Sequence, residues 1–350
     1  MKLNPRFYAI IAAALFGASA PFSKLLLGEI PPLQLAGLLY IGSGIFLLLL
    51  KFLQIALFKR GAEAGLKKAD LPWLLGAVVS GGFLAPVALM YGLSVTPAAT
   101  ASMLLNFEAA ATTLLAALFF REQIGRRVVV ALSLLTLACL VLAFDAAGKF
   151  GFSFGALIVL LACVLWGADN NFTRNISSKD PMVIVIVKGI GAGSFSFVLS
   201  LLTGSHLPAL SHASLALAVG GLCYGVSLLL FIIALRDLGS ARASALISSA
   251  PFMGAAISFL IYQQMPTMQF WISVPCMLAG ILLLFNESHV HAHGHEATVH
   301  DHMHMHSDEH HRHEHGQNDA GAQEHRHEHR HDAIVHVHNH APDIGHRHAH

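Results

Sequence analysis

Ten stretches of about 17–23 residues, nearly free of charge, follow one another along this chain, over 7–27, 33–50, 73–93, 98–120, 128–144, 152–172, 182–202, 215–235, 243–262 and 268–285. As a helix, each is long enough to cross a hydrocarbon layer roughly 30 Å thick. Lipid offers no partner for backbone N–H and C=O groups, so a stretch of this length in a membrane must be a helix. Composition agrees. Of 350 residues 55% are hydrophobic and 12% charged, whereas a soluble domain carries roughly 25% charged residues. The fold class expected is an all-α membrane protein of ten transmembrane helices. Such a chain has membrane lipid as its first partner and no surface for nucleic acid. An enzyme is not expected: no Ser-His-Asp set, phosphate loop or His-Glu-x-x-His can be placed near these helices.

The connections carry the orientation signal. With the N-terminus in the cytoplasm, the cytoplasmic side holds Lys51, Lys59, Arg60, Lys67, Lys68, Arg121, Arg126, Arg127, Arg174, Lys179, Arg236 and Arg242, and the opposite side only Lys24 and Lys149. By the positive-inside rule this places both termini in the cytoplasm of a cell whose inner (plasma) membrane holds the chain. Lys2 and Arg6 ahead of an apolar run, with Ala18-Ser19-Ala20, resemble a secretory leader, but Pro21 follows and the run continues to Leu27, so a retained first helix is expected. The cysteines, Cys139, Cys163, Cys223 and Cys276, all sit inside apolar stretches without Cys-x-x-Cys spacing and read as free thiols.

The chain changes character after residue 287. Residues 1–285 hold 17 Lys/Arg against 9 Asp/Glu, and residues 286–350 hold 4 against 11. Of 24 histidines, 22 lie at or beyond His289. Most come in His-x-His steps: His289, His291, His293 and His295; then His302, His304 and His306; then His310, His311, His313 and His315. His325, His327, His329 and His331 follow, then His336, His338 and His340, and finally His346, His348 and His350. Imidazoles interleaved with carboxylates suit nickel, cobalt or zinc, and are largely neutral near pH 7. An affinity tag is normally a short uniform run, so this mixed stretch of some sixty residues reads as natural sequence. The tail is expected to bind metal and to be disordered without it. No resident cofactor is required by the membrane body.

The ten stretches also repeat. Phe16-Gly17-Ala18 and Trp166-Gly167-Ala168 lie 150 residues apart, as do Phe22-Ser23-Lys24 and Phe172-Thr173-Arg174. Ala101-Ser102 and Ala243-Ser244 lie 142 apart. Five spans per copy is an odd number, so the copies must be inverted in the membrane, an arrangement that secondary transporters use for two-sided access to a midplane site. The expected division is a first repeat over 1–145, a second over 146–287 and the tail over 288–350.

These repeated residues, with Ala101-Ser102-Met103-Leu104-Leu105-Asn106-Phe107-Glu108, Phe119-Phe120-Arg121-Glu122 and Ala241-Arg242-Ala243-Ser244-Ala245-Leu246 through Pro251, resemble the EamA-type ten-helix transporters of the drug/metabolite superfamily. The resemblance covers residues 7–285. It implies an exporter, specifies the fold more than the solute, and leaves the tail as an addition. The family pattern usually has Glu-Pro in the fourth helix and Gly-Glu at its end. Here Glu108-Ala109 and Arg121-Glu122 stand there, and the second copy has Ala250-Pro251.

Ionisable residues inside a bilayer are candidates for function. Glu108, mid-way along the fourth span, is the first candidate for proton coupling or solute contact; a carboxylate held for packing is the alternative. Asp169 and Asn170, with Asn171, either face a cavity or cap the sixth helix. Lys188 has Asp169 or Glu108 as its expected partner. Lys24 and Arg174, equivalent under the repeat, are long enough to snorkel to opposite interfaces. Phe16, Tyr91, Trp166, Tyr224 and Phe252 are candidates for the lining of an apolar pocket, or for simple packing.

Two functions fit. One is export of a small organic solute (an amino acid, a metabolite or a metal chelate) under the control of a metal-binding tail. The other is efflux of nickel, cobalt or zinc fed by the tail, against which stands the lack of histidine in the spans. A membrane-anchored metal store, a third class, would not need ten helices. The partners expected are lipid and a small-molecule or metal substrate, with the protein a monomer or homodimer.

Overall fold

Every apolar stretch is helical in the computed structural model, which describes residues 5–58, 65–120, 125–145, 152–177, 179–238 and 240–285, and in the tail 289–295, 298–305, 324–331 and 334–340. The first half comprises α1 (Pro5–Leu26), α2 (Pro32–Phe58), α3 (71–95), α4 (98–120) and α5 (Arg126–Ala143). The second comprises α6 (Phe154–Arg174), α7 (181–202), α8 (210–238), α9 (240–262) and α10 (Met268–Phe285). Among the described residues nine of these are long and apolar enough to span a membrane, and α10 supplies a tenth, shorter apolar helix. Proline and caps set the boundaries. Pro32 opens α2 and Pro97 precedes α4. Asp180 caps α7 by accepting hydrogen bonds from the N–H groups of Met182 (2.9 Å) and Val183 (3.3 Å) ahead of Pro181.

The two halves share two deviations from regular helix, and α7 adds a π-helical turn of its own at Lys188–Ala192. A seven-residue π-helical turn interrupts α3 at Val78–Leu84 and α8 at Gly220–Val226, 142 residues apart. In α4 the helix stops at Leu104 and resumes at Phe107; in α9 it stops at Ile247 and resumes at Ala250. Packing repeats as well. A side chain at Gly17 of α1 would strike the backbone of Ala250 and Gly254 in α9, and one at Gly167 of α6 would strike the backbone of Ala111 and Thr112 in α4. With five helices per half, the copies run in opposite senses across the membrane.

Lipid tails are as apolar as leucine, so packing between membrane helices depends on close backbone approach and not on hydrophobic transfer. The bundle is built accordingly. Ala9, Ala12, Ala13, Ala131, Ala156 and Ala162 are fully buried, while Leu118, Phe154 and Leu260 point outward with more than 70% of their surface free. Where α2 crosses α7, Gly37 and Gly44 face Gly193 and Gly189, and a Cβ on Gly189 would lie 2.8 Å from the Tyr40 carbonyl oxygen. All four cysteines are free, and Cys139, Cys163 and Cys223 are buried.

In the tail the described backbone runs as strands: His289–His295 pairs antiparallel with Ile334–His340, and Thr298–Met305 with Glu324–His331. The His-x-His alternation has the two-residue period of a strand, which permits such pairing. The histidine side chains named as metal ligands lie outside the described residues.

Candidate functional site

A cavity of about 690 Å³ lies between the two halves. It is lined where the helices depart from regularity: at the α4 break by Leu105, Asn106 and Glu108, and at the α9 break by Ile247, Ser248, Ala250 and Pro251. Discontinuous helices place backbone polar groups at membrane depth, which is tolerated where they line a cavity. The remaining walls come from the middle of the bundle and from the half nearer the chain termini, reaching Val185 near the start of α7, Phe231 near the end of α8 and Leu284 in the last turn of α10.

The opposite end of the bundle is tied shut. Lys24 Nζ at the end of α1 donates to the carbonyls of Leu93 (2.6 Å) and Ser94 (2.8 Å) at the end of α3. Rather than snorkelling freely, Lys24 therefore supplies positive charge to unpaired carbonyls at a helix C-terminus. Tyr262 Oη of α9 donates to the Pro21 carbonyl (2.9 Å), and Gln34 Nε2 of α2 donates to the His206 carbonyl (3.1 Å). At the end with the termini, Lys51 pairs with Asp180 (2.5 Å) and Lys179 with Asp70 (3.5 Å), fixing the loop between α6 and α7 beside α2 and α3.

Among the described lining residues, one wall of the cavity carries all the charge. Asp169 of α6 is 5% exposed and accepts from Lys188 Nζ of α7 at 2.7 Å (Oδ1) and 2.5 Å (Oδ2). Thr173 Oγ1, one turn on, donates to Asp169 Oδ1 at 3.0 Å. The carboxylate has its seat because residue 81 is glycine: a Cβ there would collide with the Asp169 side chain. The π-helical turn of α3 also leaves the Gly81 carbonyl able to accept from Tyr40 Oη (2.8 Å) and Trp166 Nε1 (3.2 Å).

Glu108, in the first turn of α4 after the break, is bound differently. Its Oε1 accepts from Asn170 Nδ2 at 3.0 Å, and the same amide nitrogen lies 3.1 Å from Thr112 Oγ1. Thr112 in turn donates to the Glu108 carbonyl at 2.8 Å. Among the described residues Asn170 is the only side-chain partner of the Glu108 carboxylate. Asn171, next in sequence, is buried and donates to the carbonyls of Thr112 (3.0 Å) and Gly167 (2.8 Å), a packing role across the α4–α6 contact.

Of the residues singled out from sequence, Glu108, Asp169, Asn170, Lys188, Phe16, Trp166 and Tyr224 come together here. Tyr91 does not: it is on the outer surface of α3, 46% exposed. Phe252 packs against the helical core and is not part of the lining either. Tyr40, Ser43, Asn106, Thr112, Thr113, Ser227 and Ser248 line the cavity without having been singled out. None carries charge, and none interrupts an apolar stretch. The local sign was Ser80-Gly81-Gly82 inside a span, since paired glycines in a membrane helix mark a backbone irregularity or close approach.

Comparison with known proteins places this architecture. A solved crystal structure 16% identical in sequence superposes with a TM-score of 0.56 over 80% of this chain and 96% of its own, a likeness of fold alone. An uncharacterized transporter of Methanothermobacter thermautotrophicus (strain ATCC 29096 / DSM 1053 / JCM 10044 / NBRC 100330 / Delta H) is 28% identical over 292 residues, covering 79% of this chain and 84% of that protein. The EamA-like transporter family matches twice, over residues 5–144 and 153–286, one match for each half of the bundle. The chain belongs to the EamA-like transporter family and is a multi-pass membrane transporter.

Proposed function

We propose that this transporter exports a small organic solute from the cytoplasm across the inner membrane, loading it into the cavity between the broken α4 and α9. The observation that carries this reading is the cavity itself. Its volume of about 690 Å³ falls in the range of small-molecule sites. Its lining reaches Val185, Phe231 and Leu284 toward the end of the bundle that holds the termini, while the Lys24, Gln34 and Tyr262 contacts tie the helices together at the other. The excess of Lys and Arg at the termini end supports a cytoplasmic placement of that end, and on this reading the cavity stands in its loading state. Glu108 exchanges a proton for the solute, which couples export to the proton gradient. The tail binds nickel, cobalt or zinc and regulates export.

Efflux of a bare metal ion has less support. Such a path needs several N, O or S ligands at one depth, and among the described residues no group of three His, Cys, Asp or Glu could hold a metal.

The test is proton release from acidified inverted vesicles, followed with a pH-sensitive dye. Amino acids, amines and small metabolites are supplied in turn, and then nickel, cobalt and zinc. Proton release driven by an organic solute, absent in Glu108→Gln and persisting in a chain ending at Glu287, is the expected result. Release driven by the metals alone would replace this reading with metal efflux.

A further inference from the structure

We infer that the solute is an amphipathic organic monocation, an amine or ammonium group on an apolar or aromatic body, with Glu108 as its counter-charge. This rests on the transporter reading above and names the class of its substrate.

Among the described residues, three charged side chains line the cavity: Glu108, Asp169 and Lys188. Two of them cancel. Lys188 reaches both oxygens of Asp169, and Thr173 donates a third hydrogen bond to the same carboxylate. Glu108 is left with a neutral amide, Asn170 at 3.0 Å, as its side-chain partner. A carboxylate withdrawn from bulk water without a counter-charge is unfavourable. The most direct relief is a cation in the cavity beside it. The proton competes for the same place, which is how solute and proton would alternate on Glu108.

The cavity also has two unlike walls. The charged and amide groups all come from α4, α6 and α7. Facing them, α1, α8 and α9 contribute Phe16, Tyr224, Leu228, Phe231 and Pro251. Phe16 and Tyr224 meet edge to face with centroids 6.0 Å apart, and Tyr40 stands 6.0 Å from Tyr224. The polar atoms of Tyr40 and Trp166 are committed to the Gly81 carbonyl, so both present ring surface. Aromatic faces attract cations as well as apolar groups. An ammonium head against Glu108 and a hydrocarbon body against this wall use both halves of the cavity.

Other charge types fit worse. An anion would approach Glu108 with Lys188, the one cation among the described lining residues, already held by Asp169. A zwitterion would satisfy Glu108 with its amine but leave its carboxylate without a partner unless it broke the Asp169–Lys188 pair.

The test uses the full chain in lipid nanodiscs and three probes of similar size and shape: phenethylamine (cation), hydrocinnamate (anion) and phenylalanine (zwitterion). The signal is fluorescence of Trp166, which lines the cavity; Trp73 and Trp271 are not among the lining residues. Trp166→Phe serves to assign the signal. The expected result is a saturable response to phenethylamine alone, weakened by at least about tenfold in Glu108→Gln through loss of the charge-assisted contact. Glu108→Asp retains the preference for the cation, and thermal melts show that both variants are folded. Three results would each overturn the assignment: hydrocinnamate or phenylalanine binding as tightly as the amine, amine binding indifferent to Glu108→Gln, or no saturable response to any probe. Vesicle flux separates this from the broader reading. Proton release driven by an uncharged or anionic solute would leave the transporter proposal standing while removing the cation.

Discussion

Replacing Lys188 with glutamine should destabilise the bundle more than replacing its partner, and replacing both should restore most of the loss. Asp169 is 5% exposed, and its carboxylate takes three hydrogen bonds, two from Lys188 and one from Thr173. Removing one member of a buried pair leaves an uncompensated charge, at about 3–5 kcal/mol. The surviving Thr173 bond offsets about 1 kcal/mol of this, so Lys188→Gln is expected to cost about 3 kcal/mol. Asp169→Asn leaves a longer cation whose side chain is 14% exposed and borders the cavity. Lys188 can then turn its ammonium toward water in the cavity, and the loss should be about half as large. In Asp169→Asn/Lys188→Gln no charge is stranded, and stability should return to within about 1 kcal/mol of wild type. The protein supplies its own probe, because Cys139, Cys163 and Cys223 are buried and free. A thiol-reactive fluorophore reports their exposure as detergent-solubilised protein is heated. At about 2–4 °C per kcal/mol, Lys188→Gln should melt roughly 6–12 °C below wild type, and the double variant within a few degrees of it. If Lys188→Gln melts with wild type, or the double variant melts below Lys188→Gln, the pair does not hold α6 to α7 as a buried ion pair.

Three further perturbations test other parts of the structure. Gly17→Val should abolish transport and lower the melting temperature, because the added Cβ meets backbone, with the Gly254 nitrogen at 2.9 Å; normal flux in this variant would mean that α1 and α9 do not pack as described. Lys24→Ala removes two hydrogen bonds from the far-side seal, so a cysteine placed at cavity residue Ser43 in a background without the native thiols should label several-fold faster with a membrane-impermeant maleimide added from that side, and an unchanged rate would remove Lys24 from the seal. A chain ending at Glu287 should melt within about 1 °C of the full protein, since among the described residues the buried apolar clusters are built from the bundle alone, while any effect of zinc or nickel on transport should disappear; metal sensitivity that survives would place the metal site in the bundle.

Much of this architecture was readable in advance for one physical reason: lipid leaves an apolar stretch no choice but to be helical. The ten spans, the inverted copies and the free cysteines follow from that rule and from small motifs such as Phe16-Gly17-Ala18 and Trp166-Gly167-Ala168. The charged members of the site were also legible, because Glu108, Asp169 and Lys188 stand out against apolar neighbours. Which aromatics face the cavity was not. Tyr91 and Tyr224 look alike in sequence, and only the positions of the neighbouring helices decide that one meets lipid and the other Phe16. The partner of Lys188 was equally open, since both carboxylates lie at a compatible depth and a single missing Cβ, at Gly81, seats Asp169 within its reach.

The repeat separates what moves the protein from what recognises the solute. Contacts between helix backbones occur twice: Gly17 on Ala250 and Gly254, Gly167 on Ala111 and Thr112. The chemistry occurs once. At an offset of 142, Glu108 corresponds to Ala250; at 150, Asp169 and Asn170 correspond to Ser19 and Ala20. On the proposed reading, two inverted copies with similar packing have two arrangements, one open to each side, and the contacts of Lys24, Gln34 and Tyr262 help to hold the observed one. A polar wall duplicated along with the packing would give the solute two equivalent places to rest. Confined to α4, α6 and α7, it offers a single counter-charge, and that group lies beside the α4 break, where the two halves meet and where either opening can reach it.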